Sequence, residues 1–145
     1  MLAGAAIVLA VGMLALLAWG VWSIPRHPFG SNGALVVDCS EFASFVDQTT
    51  MPAQMSAAQC TYEHFQDTHM TANFQVSSLD DVEAWLSRMT PAPQLGQTGC
   101  AAGVWQCASV DFQPRLAGGA DHFGIEIRQT PGSSSLQVTM DAFNM

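Results

Sequence analysis

Apolar residues along this chain form three patterns: one long uninterrupted run, two short helical stripes and several alternating segments. The run covers residues 1–24 and contains no Asp, Glu, Lys or Arg. At a rise of 1.5 Å per residue such a helix is about 36 Å long, against about 30 Å of bilayer hydrocarbon. Trp19 and Trp22 lie at its downstream end, where indole rings suit the membrane interface. Residues 1–24 are therefore predicted to be a transmembrane signal anchor.

A cleaved signal peptide is the alternative for this run, because Ala18 and Gly20 have the spacing of a cleavage site. Two features favour retention: no basic residue precedes the run, and the run continues through Ile24. The next segment, residues 25–33, is rich in Pro, Gly, Ser and Asn. This composition predicts a linker to a domain over residues 34–145.

Two segments of that domain have the apolar spacing of short amphipathic helices. The first, residues 38–48, begins at a capping Asp38 or Ser40, and the second follows Ser78 and Asp81, which have capping-box spacing. The two apolar stripes consist of Phe42, Phe45 and Val46 in the first segment and Leu79, Val82, Trp85, Leu86 and Met89 in the second. Each helix is therefore expected to pack one face against a core.

The remaining apolar segments indicate strands, and the clearest of them, residues 69–77, alternates strictly. The other predicted strands are residues 34–37, 60–65, 104–112, 123–129 and 135–143. The order is strand, helix, two strands, helix, three strands. It predicts an α+β two-layer sandwich in which a mainly antiparallel sheet has two short helices on one face.

The domain is strongly acidic. After Arg26 the chain contains three arginines, no lysine and twelve Asp or Glu residues, so its formal charge is 3 − 12 = −9. Such a chain cannot neutralise a run of phosphates, which excludes nucleic acid as a partner. The charge fits an exported domain that stays soluble.

Four cysteines allow three disulfide connectivities, and none of them forms a C-x-x-C pair. Neighbour pairing, Cys39–Cys60 and Cys100–Cys107, is the prediction. Neither pair has the C-x₂₋₄-C spacing of a structural zinc site, and the geometry that activates a redox thiol is missing as well. Two disulfides favour a domain outside the cytoplasm, although Arg26 on the downstream side argues for the opposite orientation. The predicted location is the cell membrane, crossed once, with the C-terminal domain outside.

Methionine and histidine residues suggest a more specific alternative, a copper site. Met51, Met55, His64, His69 and Met70 lie within twenty residues, and thioether with imidazole suits copper. The simpler interpretation makes Met70 a core residue and the histidines polar surface residues near a turn. No cofactor is therefore predicted, with copper as the alternative.

Catalytic motifs are missing from the sequence: it contains neither G-x-S-x-G nor H-E-x-x-H. Asp111, Glu126 and Asp141 fall opposite the apolar rows of their strands, which indicates the solvated face of the sheet. Trp105 falls on the same face as Cys107, where it either packs on the disulfide or contacts a partner.

The resulting functional prediction is a non-enzymatic one. The acidic domain is expected to be a protein-binding or accessory module of the cell envelope whose partner is another envelope protein. A copper-binding envelope protein and a small exported hydrolase are the alternatives.

Overall fold

Strands and helices alternate along residues 33–64 and 66–145, the part of the chain that the computed structural model describes. The elements are β1 (Leu35–Val37), α1 (Cys39–Phe45), β2 (Ser56–His64), β3 (Thr68–Val76), α2 (Asp80–Leu86), β4 (Gln106–Asp111), β5 (His122–Gln129) and β6 (Leu136–Phe143). Their order is the predicted one. The predicted anchor at residues 1–24 lies outside the described residues. Neither helix in the described part has the length and apolar character needed to cross a membrane.

All six strands form one antiparallel sheet in the order β1-β2-β3-β6-β5-β4. The predicted α+β class with an antiparallel sheet and two short helices is confirmed. One pair of neighbouring strands in this order is not joined by a hairpin between consecutive strands: β3 pairs with β6. After β3 the chain leaves the sheet through α2, enters β4 at the far edge and returns through β5 and β6.

One face of the sheet forms the core together with both helices. Alternate residues of the central strands are almost fully buried, and they are Met70, Ala72, Phe74, Val76, Phe123, Ile125, Ile127, Val138, Met140 and Ala142. From α2, the Trp85 ring packs 6.0 Å from the Phe123 ring, and its indole Nε1 donates a 2.6 Å hydrogen bond to the Thr50 carbonyl. The indole N–H is therefore satisfied inside the core.

Helix α1 is fixed at its first residue. The Asp38 carboxylate accepts a 2.8 Å hydrogen bond from the Ser40 amide, as an N-cap does. Hydrogen bonds from the Ser40 side chain and amide hold the pKa of the Asp38 carboxyl below its ordinary value. A disulfide joins Cys39 to Cys60 on β2, with the two Cα atoms 5.2 Å apart. Cap and disulfide together hold the helix on the sheet.

Helix α2 starts differently from the prediction. The capping box of Ser78 and Asp81 does not form, because Leu79 is already in the αR conformation and occupies the cap position without a side-chain hydrogen bond. The Ser78 hydroxyl instead accepts a 3.2 Å hydrogen bond from the Asp80 amide, two residues on. The hydroxyl therefore closes a local turn, a competing use of serine near helix starts.

The end of α1 is locked onto the connection between β4 and β5. The Asp47 carboxylate accepts hydrogen bonds from the amides of Ala117 (2.9 Å) and Gly118 (2.5 Å). A Cβ at position 118 would lie only 1.9 Å from the Ser44 carbonyl oxygen. The backbone of this connection thus approaches α1 more closely than any residue with a side chain permits.

Candidate functional site: a groove on the open face of the sheet

The face of the sheet opposite the helices is polar, and we call it the open face. Strand pairing places its residues in cross-strand rows, one of which contains Thr71, Asp141, Gly124 and Ser109, while the next contains Asn73, Thr139, Glu126 and Cys107. The seven side chains of these two rows are at least partly exposed, whereas Gly124 has no side chain and is buried. The alternation that placed Glu126 and Asp141 on this face is therefore reproduced in the structure.

A groove of about 680 Å³ lies between strands β4–β6 on this face and the segment 94–101. Its lining residues are Gln94, Gly96, Thr98, Gly99, Cys100, Ala101, Cys107, Ala108, Ser109, His122, Gly124, Ile125, Glu126 and Asp141. The volume is in the range of small-ligand and peptide-side-chain pockets. The groove is thus a concave surface on the open face that is large enough for a side chain or a small ligand.

The wall of the groove is held by the second disulfide. Cys100 is bonded to Cys107 on β4, with the two Cα atoms 5.6 Å apart, so the joined pairs are those expected from the sequence. Next to the disulfide, Gly96 and Cys107 exchange two backbone hydrogen bonds of 3.0 and 2.8 Å. Because Cys107 faces the open side of the sheet, the bridge ties segment 94–101 beside that face. The disulfide therefore fixes the position of one wall of the groove.

The floor of the groove contains one unusual pairing. Asp141 on β6 lies directly opposite Gly124 on β5. A Cβ at position 124 would lie 2.6 Å from Asp141 Oδ1. The missing side chain thus leaves the space in which the Asp141 carboxylate lies across the neighbouring strand.

The charge of the groove is negative. Glu126 and Asp141 line it, and no lysine or arginine does. Arg128 Nη2 donates a 2.6 Å hydrogen bond to Glu126 Oε2 and partly neutralises that carboxylate. Arg115 pairs with Asp121, so neither of these arginines ion-pairs with Asp141 in the described part of the chain. Asp141 is therefore the carboxylate whose charge remains available in the groove.

One end of the groove is formed by a histidine held between two neighbours. His122 Nδ1 lies 2.6 Å from Asp111 Oδ1, and its ring stacks on Phe143 with the centroids 4.4 Å apart. His69 meets the other side of Phe143 at 6.2 Å, edge to face. A carboxylate at Nδ1 fixes the orientation of the imidazole, an arrangement also used in catalytic triads. Ser109 lines the same groove, but among the described residues no hydrogen bond joins its hydroxyl to His122.

Sequence reasoning missed His122, Gly124 and Phe143. Each belongs to an alternating strand whose open-face positions were recognised, but their roles depend on cross-strand neighbours. Asp111 faces His122 only through the β4–β5 register, and Gly124 faces Asp141 only through the β5–β6 register. A glycine inside an alternating strand is the one local signal that points to a close approach at this position.

The structure does not bring the five residues of the copper alternative together. Glu63 pairs with His69 and Thr68 with His64, so the two imidazoles lie on opposite faces of the sheet. Met51 and Met70 are buried in the core, where they are 8% and 3% exposed, and the partly buried Met55 packs against that core. Within the described ranges, no group of three or more His, Cys, Asp or Glu side chains is arranged to hold a metal ion. The structure therefore favours the packing interpretation of the methionines.

Trp105 lies immediately before β4, whereas the sequence pattern extended the strand from Val104. Its amide donates a 2.8 Å hydrogen bond to the Ile127 carbonyl, and its half-buried side chain packs against the hydrophobic core. The packing predicted for Trp105 was against the disulfide, whereas the structure places its side chain against the core; contact with a partner stays a prediction.

Comparison of the chain with protein-family models, curated proteins and solved structures finds no match. The function is therefore argued from the site itself rather than from a relative.

Proposed function

We propose that the chain is a small single-pass membrane-anchored protein whose disulfide-stabilised acidic domain lies outside the cytoplasm. There it acts as a protein-binding or accessory module of the cell envelope, with another envelope protein as its partner. The observation that carries the proposal is the groove on the open face, a concave polar surface that neither helix covers.

The two disulfides support the location. Closing the shorter and the longer loop contributes about 2.5 and about 3.4 kcal/mol in the chain-entropy model. These values are a large part of the 5–15 kcal/mol that stabilises an ordinary domain. A domain that depends on its disulfides to this extent suits an oxidising compartment, where such bonds persist.

The copper and hydrolase alternatives have less support. His64 and His69 lie on opposite faces of the sheet, so they cannot bind one copper ion in this arrangement. For a hydrolase, the Asp111–His122 pair is the one suggestive feature, and it lacks a hydrogen-bonded nucleophile among the described residues.

Photo-crosslinking of the full chain in its cell tests the proposal. A photoreactive residue replaces Thr98 in the groove wall. In the control it replaces Ser87, an exposed residue at the end of α2, on the opposite side of the sheet. We expect one defined protein adduct from position 98 and none from position 87. Equal adducts from both positions, or none from either, would contradict a binding function for the groove.

Reporter fusions to the C-terminus test the location independently. A reporter active only outside the cytoplasm is expected to give signal, and one that fluoresces only inside is expected to stay dark. The reverse pattern, or four free thiols in a mass measurement of the unreduced protein, would contradict the extracytoplasmic assignment.

A further inference from the structure

We propose that the groove binds an arginine-bearing segment of the partner protein, with the Asp141 carboxylate receiving the guanidinium. This inference rests on the proposed binding function and specifies the chemistry of the partner. It begins from the charge of the groove, which is lined by two carboxylates and by no lysine or arginine. Around it, the region after Arg26 has a formal charge of −9, so a cationic partner is attracted at long range as well.

The position of Asp141 makes it the receiving group. Its carboxylate lies in the space that Gly124 leaves, and Arg115 and Arg128 are paired with Asp121 and Glu126. A carboxylate oxygen pair accepts the two parallel N–H groups of a guanidinium, a geometry that an ammonium cannot provide. Arginine is therefore the better match to this single available carboxylate.

An aromatic surface lies next to the same carboxylate. Phe143 follows Asp141 by two residues, so both project from the open face of β6 about 6.6 Å apart along the strand. His122, stacked on Phe143, lines the groove. Because His122 stacks on one side of Phe143 and His69 meets the other side, this aromatic group borders the position of the guanidinium and does not offer it a free ring face.

The size and composition of the groove favour a peptide segment over a free metal ion. The volume of about 680 Å³ far exceeds an ion, and within the described ranges no three His, Cys, Asp or Glu side chains converge. Segment 94–101 supplies backbone groups along one wall, held there by the Cys100–Cys107 bridge. A partner segment in the groove can hydrogen-bond to this backbone while its arginine reaches the floor.

The test uses the full chain in an uncharged detergent and a fluorescent Gly/Ser peptide with two arginines at its centre. The matched probe replaces both arginines with citrulline, which keeps the shape and removes the charge. Fluorescence anisotropy gives the two affinities at low and moderate salt. We expect the arginine peptide to bind at least tenfold more tightly than the citrulline peptide, a difference of about 1.4 kcal/mol.

Variants locate the binding. Asp141→Asn preserves the shape of the side chain and is expected to weaken the arginine peptide about tenfold, to the level of the citrulline peptide. Glu126→Gln is expected to weaken it less, because Arg128 already neutralises part of that carboxylate. Glu83→Gln removes the same charge from the exposed side of α2 and is expected to change the affinity less than twofold. The melting temperature of each variant shows whether it is folded. If Asp141→Asn is unfolded, the affinity of Glu126→Gln for the arginine peptide is compared with that of Glu83→Gln instead.

Equal affinities for the arginine and citrulline peptides would overturn the inference, as would an equal loss in Asp141→Asn and Glu83→Gln. Tighter binding of an uncharged N-acetylglucosamine oligosaccharide with the same dependence on Asp141 would overturn it too. The proposed binding function is judged separately by the crosslink from position 98. An adduct there with no preference for arginine leaves that function standing and removes only the inference.

Discussion

Removing the Cys100–Cys107 bridge is expected to lower the stability of the domain and to change the shape of the groove. In the variant Cys100→Ala/Cys107→Ala, the unfolded chain regains the loop entropy, which lowers the free energy of unfolding by about 2.5 kcal/mol. The bridge lies in a partly exposed segment, and few core contacts disappear with it. Near the melting temperature, this loss corresponds to roughly 10 °C for a domain of this size.

The other bridge is the matched comparison. Cys39→Ala/Cys60→Ala opens a longer loop, worth about 3.4 kcal/mol, and also empties space around Cys60, which is 1% exposed in the core. It is therefore expected to cost more than removal of the Cys100–Cys107 bridge. Helix α1 should detach from the sheet more readily in this variant, because Cys39 is its first residue.

Urea unfolding of the full chain in uncharged detergent, followed by tryptophan fluorescence, measures both losses. Trp85 is fully buried and reports the core. A midpoint shift with an unchanged slope indicates a change in stability rather than in the unfolded state. A loss below about 0.5 kcal/mol for the Cys100–Cys107 variant, or a larger loss than for the Cys39–Cys60 variant, would refute this reasoning. We also expect the Cys100–Cys107 variant to lose most of the arginine-peptide binding, because segment 94–101 then keeps only the backbone pairing at Gly96.

Three further substitutions test the fold at single contacts. Gly118→Ala places a Cβ against the Ser44 carbonyl and is expected to cost about 2–3 kcal/mol in urea unfolding, whereas a neutral effect would contradict the close approach. Trp85→Phe removes the hydrogen bond to the Thr50 carbonyl and is expected to cost about 2–3 kcal/mol by the same assay, with no change counting against a satisfied core indole. Asp38→Ala removes the α1 cap and lowers the melting temperature at neutral pH. Because folding lowers the pKa of Asp38, its stabilisation is present above its ordinary pKa of 3.8 and is lost as the pH falls through the folded value. The parent and variant melting temperatures should therefore converge in acid, and a constant difference down to pH 2 would contradict the assignment.

Local patterns were sufficient for the element order because each element follows from neighbouring residues. Alternation in residues 69–77 gave β3, and the spacing around Trp85 gave α2. The pairing of β3 with β6 could not be predicted in this way. It joins residues that are 60 to 74 positions apart, and the apolar rows of both strands would fit several neighbours. The start of β2 at Ser56 was missed as well, because a bulge with Ala57 at positive φ interrupts the alternation there.

For the site as well, the sequence predicted local features but not the contacts between distant segments. Alternation placed Asp111, Glu126 and Asp141 on the solvated face, and the cysteine spacing suggested a disulfide near Trp105. The groove itself requires knowledge of where segment 94–101 folds back, and this is decided by backbone pairing of Gly96 with Cys107. The roles of His122 and Gly124 likewise depend on strand registers, which a one-residue shift would reverse.

The central claim is that the groove on the open face is the surface that binds the partner. Hydrogen–deuterium exchange of the full chain, alone and with the partner identified by crosslinking from Thr98, tests it most directly. The account predicts slower exchange in segment 94–101 and in β5 around Gly124, with α2 unchanged. Protection confined to α2 or to the edge strand β1, with segment 94–101 unchanged, would contradict it.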